Sequence, residues 1–159
     1  MGESIEEIKN RVTDIFPKLS NDSGFEITSK TDASYNCIAW AYCLDNRCMW
    51  PNTGECEFLD GVNFWPSDEI MDCNIENFIK AFELKGYELC HHGNHEENYR
   101  KIALFVKQNT TECTHASREL SNGYWTSKLG KGVDIQHKDP YNLESDTYGV
   151  LYCFMRKII

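Results

Sequence analysis

Apolar residues recur every three or four positions in two stretches of the chain, which is the spacing of an amphipathic helix. The first stretch starts at Ile5 and ends at Pro17, a residue that cannot continue a helix. The second follows Asn74, a good N-cap, and Gly86 stands where a residue of left-handed conformation closes many helices. These signals predict an N-terminal helix and a further helix between Asn74 and Gly86.

A short segment between these two helices is apolar around most of its circumference. It reads Cys37-Ile38-Ala39-Trp40-Ala41-Tyr42 and follows a polar loop with a short extended piece at residues 24–28. A helix that is apolar on all sides must be buried, so we expect a central buried helix that starts at Cys37, with Trp40 in the core. Asn36 then either caps this helix or contacts a substrate.

After Gly86 the pattern changes from helical to extended. Five segments predict strands, namely Tyr87–Cys90, Lys101–Lys107, Thr114–Leu120, Tyr124–Leu129 and Tyr148–Arg156. The sequence Asn122-Gly123 between two of them is a strong signal for a tight hairpin turn. Helices first and antiparallel strands second predict one α+β domain over residues 1–159.

Residues 45–73 predict a long loop, because Asn, Asp, Gly and Pro alternate there with aromatic residues. The aromatic residues include Trp50, Phe58 and Trp65. Long loops with such anchors often form the wall of a cleft. Aromatic residues under loops also serve packing alone, so Trp50, Trp65 and Trp125 are either core anchors or cleft walls.

The charge of the chain restricts its partners. A formal net charge of -9, from 25 acidic and 16 basic residues, argues against a surface for nucleic acid or anionic membrane, which needs a basic patch. No apolar run reaches the roughly 18 residues of a membrane span, and the N-terminal residues do not resemble a secretory signal. We therefore expect a cytoplasmic protein whose eight cysteines are mostly reduced, several of them buried.

Cys37 is the residue with the clearest chemistry, because it begins the predicted central helix. The positive end of a helix dipole favours the thiolate, which is the nucleophilic form of cysteine. His115, in Thr114-His115-Ala116 at the edge of a predicted strand, supplies a base. A nucleophile and base of these types predict covalent catalysis; the alternative is a core thiol and a sheet-edge histidine.

The order of these elements resembles the papain-like cysteine hydrolases, and within them the NlpC/P60-like branch. In that branch an Asp-Cys-Ser-Gly-like segment and a His-Val-Gly-Ile-like strand with an Asn-Gly hairpin carry the pair. The similar segments here are Asn36-Cys37-Ile38-Ala39 and His115-Ala116-Ser117-Arg118, with Ile38-Ala39 in place of Ser-Gly. The strings Asn-Cys-Ile-Ala-Trp-Ala, Thr-His-Ala and Trp-Thr-Ser-Lys-Leu-Gly also resemble an uncharacterised bacterial group of similar length.

The resemblance implies a papain-like fold and a thiol hydrolase that needs no cofactor. Cys37 is then the nucleophile, His115 the base, and a peptide or other amide-containing molecule the substrate, with a protein among the options. The third polar position falls on Ser127, with Asp134 and His137 as alternatives. Hydrolysis, deamidation and acyl transfer share this apparatus, so the sequence leaves the reaction open.

Two non-enzymatic hypotheses remain beside the hydrolase hypothesis. The first is a protein-interaction module on the same fold, with no catalytic thiol. The second is a zinc-stabilised domain using Cys90-His91-His92-Gly93-Asn94-His95. A structural zinc site needs two tight ligand pairs, and a second pair is missing because Cys43, Cys48 and Cys56 are widely spaced. Surface histidines in a polar loop are therefore expected there.

Overall fold

A computed structural model describes residues 2–53, 63–67 and 69–159. Its helices are α1 (Ile5–Ile15), α2 (Cys37–Ala41) and α3 (Ile75–Leu84), with 3₁₀ helices at Pro17–Asn21 and Pro140–Leu143. Its strands are β1 (Glu26–Ile27), β2 (Cys48–Met49), β3 (Asn63–Phe64), β4 (Glu88–Cys90), β5 (Tyr99–Val106), β6 (Cys113–Glu119), β7 (Trp125–Lys128), β8 (Asp134–His137) and β9 (Val150–Ile158). Cys56 and Phe58, which the sequence placed in the long loop, lie outside the described residues.

Local capping sets the ends of the two long helices, as predicted. The hydroxyl of Ser4 accepts a hydrogen bond from the Glu7 N–H and caps α1. The side chain of Asn74 accepts from the Glu76 N–H and caps α3. Gly86 has a φ of 101°, in the left-handed region that favours glycine, and follows the last turn of α3. Both predicted helices are confirmed.

The central helix α2 is shorter than its apolar sequence indicated, with only five residues. Asn36 caps it, since the side-chain oxygen of Asn36 accepts from the N–H groups of Ala39 and Met49. Cys43 has a φ of 68° and closes the helix, and the Leu44 N–H then bonds back to the Ala39 carbonyl at 2.8 Å. The helix is thus fixed at both ends by local contacts.

Within the described ranges, seven antiparallel strands form one sheet in the order β1-β8-β7-β6-β5-β9-β4. The five predicted strands correspond to β4, β5, β6, β7 and β9, and the extended piece at residues 24–28 contains β1. The strand β8 was not predicted. Strands β2 and β3 form a separate parallel pair. The α+β class is confirmed.

Both faces of the sheet are covered, because neighbouring residues of β5 enter two different cores. Leu104 packs with Phe78 and Phe82 in a cluster with α2 and α3, which we call the α3 core. Phe105 packs with Val12 in a cluster with α1, which we call the α1 core. Successive side chains of a strand point to opposite faces, so the sheet separates the two cores.

The tryptophans divide between core and partly exposed positions. Trp65 and Trp125 are buried, whereas Trp50 is half-buried against the α3 core. Trp40, which we expected in the core, is also half-buried, and its indole N–H donates to Thr126 Oγ1 at 2.9 Å. Among the described residues, no helix has both the length and the apolar character needed to cross a bilayer.

Candidate functional site

The edge of β6 becomes available where its pairing with β7 ends. β7 pairs with β6 only at Arg118 and Glu119, and the adjoining Leu120 N–H donates to the Tyr124 carbonyl. Every second N–H of a strand points to the same neighbour, so the Ala116 N–H is next in the row that faces β7. No pairing with β7 is present at Ala116. This N–H is therefore available to another acceptor.

The thiol of Cys37 occupies that position. The Ala116 N–H bonds to Cys37 Sγ, and the N–H groups of Ile38 and Cys37 itself also act on the sulfur. The first residue of α2 is thus docked against the residue that follows His115 in β6. The structure brings the predicted nucleophile to the strand that carries the predicted base.

Cys37 is nevertheless a protonated thiol in this structure. Only 7% of the residue is exposed, and burial raises the pKa of Cys37 to about 11 in spite of the three N–H groups that lower it. We expected a thiolate stabilised by the helix terminus. The free-energy cost of removing the thiolate from water is larger than its stabilisation by the helix N-terminus, because a helix of five residues has only a small dipole.

His115 is fully buried on the other face of its strand. Its ring stacks on Tyr148, with 4.0 Å between ring centroids, and meets Phe105 edge-on; both partners belong to the α1 core. Cys37 belongs to the α3 core. Neither ring nitrogen of His115 makes a hydrogen bond within the described part of the chain. Burial, with the nearby His137, holds the pKa of His115 well below its usual range, so the imidazole is neutral.

Ser127 belongs to a buried relay of hydrogen bonds that does not include His115. Ser127 Oγ lies 2.7 Å from Ser117 Oγ and 2.8 Å from His137 Nε2. His137 Nδ1 lies 3.3 Å from the carbonyl of Asp139 and can only donate to it, so His137 Nε2 accepts from Ser127. The role predicted for Ser127, orienting His115, finds no support in these bonds.

The two alternative orienting residues are engaged elsewhere as well. His137 is fully buried in the relay, and burial lowers its pKa to about 4. Asp134 Oδ2 accepts from the Tyr35 hydroxyl at 2.7 Å, and the buried ammonium of Lys128 lies 4.5 Å from the Tyr35 ring centroid. Burial is the largest influence on Asp134 and raises its pKa. No described hydrogen bond therefore orients His115.

A groove of about 610 Å³ lies at the far end of β6, between residues 93–95, 122–124 and 138–141. The buried rings of Trp125 and Phe154 form its floor, and Tyr124 and Tyr141 stand exposed along it. Gly93 closes one end against Phe154, where an added Cβ would lie 2.5 Å from the ring. The groove combines an aromatic floor with a polar rim.

The histidine on the rim of this groove is held by a buried carboxylate. His95 Nδ1 lies 3.0 Å from Glu119 Oε2, and Glu119 is only 3% exposed. The loop that carries His95 is fixed from below, because the buried Lys101 ammonium bonds to the His92 carbonyl and to Glu96 at 3.0 and 2.7 Å. This pair was not predicted, because no local sequence pattern connects two residues that lie 24 positions apart.

The same loop is the one considered for zinc. Within the described ranges, no group of three or more His, Cys, Asp or Glu side chains is placed to hold a metal ion. His92 Nδ1 lies 3.2 Å from the Lys101 ammonium, which is a hydrogen-bond donor rather than a metal. The zinc hypothesis receives no support from this geometry.

The comparison with known families bears on most of the chain. Residues 26–156 match the family described as Domain of unknown function (DUF7689). The chain belongs to this family. The DUF7689 match begins in β1 and ends in β9, so it contains Cys37, His115 and the groove but leaves out α1. No curated protein and no solved structure matches the chain.

Proposed function

We propose that this DUF7689 domain is a thiol-dependent hydrolase of amide or ester bonds, with a papain-like arrangement of the NlpC/P60-like type. Cys37 is the nucleophile and His115 the base, and the substrate is a peptide or another amide-containing molecule. We further propose that the protein acts in the cytoplasm. The observation that carries the proposal is the docking of the Cys37 thiol on the N–H of Ala116, the residue that follows His115 in β6; the His115 ring itself lies on the opposite face of that strand.

The structure then represents a closed resting state of the pair. Burial is the largest cause of both pKa shifts, raising that of Cys37 and lowering that of His115. Opening of the site has to expose both groups to water and bring the His115 ring from the opposite face of β6 within reach of Cys37 Sγ. Exposure then reverses both pKa shifts, which favours proton transfer from the thiol to the imidazole. The pair is thus neutral when closed and becomes reactive when the site opens.

The proposed reaction uses side chains and backbone N–H groups of this chain together with water. His115 takes the thiol proton, and Cys37 Sγ attacks the acyl carbon of the substrate. Backbone N–H groups that already surround the sulfur, those of Cys37 and Ala116, stabilise the negative oxygen that forms. His115 then gives its proton to the leaving amine or alcohol, and water releases the acyl group from the sulfur.

Reaction with 4-nitrophenyl acetate, a small activated ester, tests the proposal without knowledge of the substrate. We expect an acetyl thioester on Cys37, found by peptide mass spectrometry, that forms with release of nitrophenolate and is then hydrolysed. His115→Gln should slow acetylation of Cys37 by about 10²–10⁴-fold, the usual effect of losing a general base. The melting temperature of the variant shows whether the buried substitution leaves the fold intact.

Cys43 provides the control within the same molecule, because it is exposed and its sulfur contacts Arg100 of β5 rather than His115. Its acetylation should not change in His115→Gln. Acetylation of Cys43 with no modification of Cys37 in the folded protein contradicts the hydrolase proposal. Equal acetylation of Cys37 in wild type and His115→Gln contradicts the assignment of His115.

The groove supports a second function, a non-catalytic module that binds a segment of a protein partner. Tyr124 and Tyr141 are 37% and 47% exposed beside an apolar floor, which is a common composition for peptide-binding grooves. When His95 Nδ1 donates to Glu119 Oε2, 3.0 Å away, the Nδ1–H tautomer presents His95 Nε2 as an acceptor for a peptide N–H.

Selection of phage-displayed dodecapeptides tests this second function. The function predicts that selected peptides, once synthesised, bind wild type in the micromolar range and bind Tyr141→Ala at least tenfold more weakly. Leu84→Ala, at an exposed apolar position on α3, is the matched control. Selected peptides that bind both variants as they bind wild type contradict the groove as the binding site.

A further inference from the structure

Three hydrogen bonds align the segment before α3 with the start of β6. The Cys113 N–H donates to the Cys73 carbonyl at 2.9 Å, and the Ile75 N–H donates to the Thr111 carbonyl at 2.7 Å. The Asn74 side chain adds a bond of 2.9 Å to the Thr111 hydroxyl. Asn74 and Glu112 form an antiparallel bridge between these bonds.

This register places two cysteines opposite each other. Continued by one residue, the antiparallel register of this bridge puts Cys73 opposite Cys113, whose N–H bonds to the Cys73 carbonyl. Residues paired in this way in a regular ladder have Cα atoms about 5.5 Å apart and side chains on the same face. Both side chains pack in or against the α3 core. Disulfides form readily between Cα atoms about 4.4–6.8 Å apart.

We propose that Cys73 and Cys113 are a site of reversible disulfide formation. The half-buried Cys73 meets the oxidant first, since Cys113 is only 2% exposed and its burial keeps its pKa well above the usual range. The Cys73 thiolate attacks hydrogen peroxide and breaks its O–O bond, so that one oxygen forms the sulfenic acid and the other leaves as hydroxide. The Cys113 sulfur then displaces the hydroxyl group of the sulfenic acid, forming the disulfide and releasing water.

The bridge would regulate the Cys37 site if the proposed hydrolase function holds. Cys113 is the first residue of β6, and the Cys37 thiol docks on the same strand at Ala116. Cys37 is also near enough to raise the pKa of Cys113. Its formation does not depend on that function. The bridge closes a loop of about 40 residues and fixes the first turn of α3 to β6.

Peptide mapping after treatment with hydrogen peroxide tests the proposal, with remaining thiols blocked by iodoacetamide. We expect a cross-linked pair of peptides containing Cys73 and Cys113, two hydrogens lighter than the two thiol peptides together. The melting temperature should rise by roughly 5–10 °C and return to its starting value with dithiothreitol. Cys73→Ser and Cys113→Ser should each prevent both effects.

Cys43→Ser is the matched control, since it removes an exposed thiol and should leave the cross-link and the shift unchanged. A cross-link between Cys37 and Cys113, or Cys73 oxidised to the sulfinic acid with Cys113 still a thiol, overturns the proposal. A bridge that lowers the melting temperature also overturns it, because the backbone would then have to distort to accept the bond.

Discussion

The alkylation rate of Cys37 should depend on pH as that of a deeply buried thiol, far from the profile of an ordinary cysteine. With a pKa of about 11, about 0.1% of Cys37 is thiolate at pH 8, whereas a free cysteine of pKa about 8.5 is about 25% thiolate. Only the thiolate reacts with iodoacetamide, so Cys37 should react about 240-fold more slowly than a free thiol from ionisation alone. The low exposure of the residue slows it further.

The assay is peptide mass spectrometry of iodoacetamide-treated protein between pH 7 and pH 11, with exposed Cys43 as the internal reference. The rate at Cys37 should rise about tenfold for each pH unit up to about pH 10. A rate at Cys37 that levels off below pH 9 would refute the reasoning, since it would show that burial does not govern this thiol.

Three further substitutions test the account of the fold. Gly149→Ala should lower the free energy of unfolding in urea by about 3 kcal/mol or more, because φ is 74° and the new Cβ would lie 2.0 Å from the Val106 carbonyl oxygen of β5. Gly130 has a φ of 60° but open space around it, so Gly130→Ala should lower the free energy of unfolding by only about 1 kcal/mol. The pKa of His137 is about 4 when folded, so the unfolded chain binds the proton first and stability is lost as pH falls from about 6.5 to 4. Between pH 6.5 and 4, the loss in free energy of unfolding, measured by urea unfolding at each pH, should be about 3 kcal/mol smaller in His137→Asn than in wild type. His91→Asn, at an exposed histidine, should lose as much as wild type. Lys101→Met should speed amide exchange in the loop after β4, because the His92 carbonyl and Glu96 lose their buried donor; unchanged protection would exclude this role for Lys101.

The ends of α1 and α3 could be read from the sequence because their causes are local. Ser4 and Asn74 cap the helices through residues two or three positions away, and Gly86 closes α3 by its own backbone conformation. The turn at Asn122-Gly123 is equally local. The four-residue strand β8 has no such signal, because its identity comes from pairing with β7 and β1.

The sequence indicated the elements that hold Cys37 and His115 but not the burial or protonation state of either residue. The start of a helix at Cys37 is a sequence property, and so is the strand that carries His115. Their burial is not, and burial decides that the thiol is protonated and the imidazole neutral. Ser127 met His137 instead of His115 because the alignment of β7 and β8 places them together, with Ser117 from β6 completing the relay.

The sequence by itself therefore determined the helix ends, most of the strands and the α+β class. Only the tertiary structure decided which side chains meet and which lose contact with water. Lys128 shows the reason, since lysines are usually surface residues, yet Lys128 is fully buried and donates to the carbonyl of Asp32, 96 positions away in the sequence. The opposition of Cys73 and Cys113 has the same origin, because a register between distant segments depends on the packing of the whole domain.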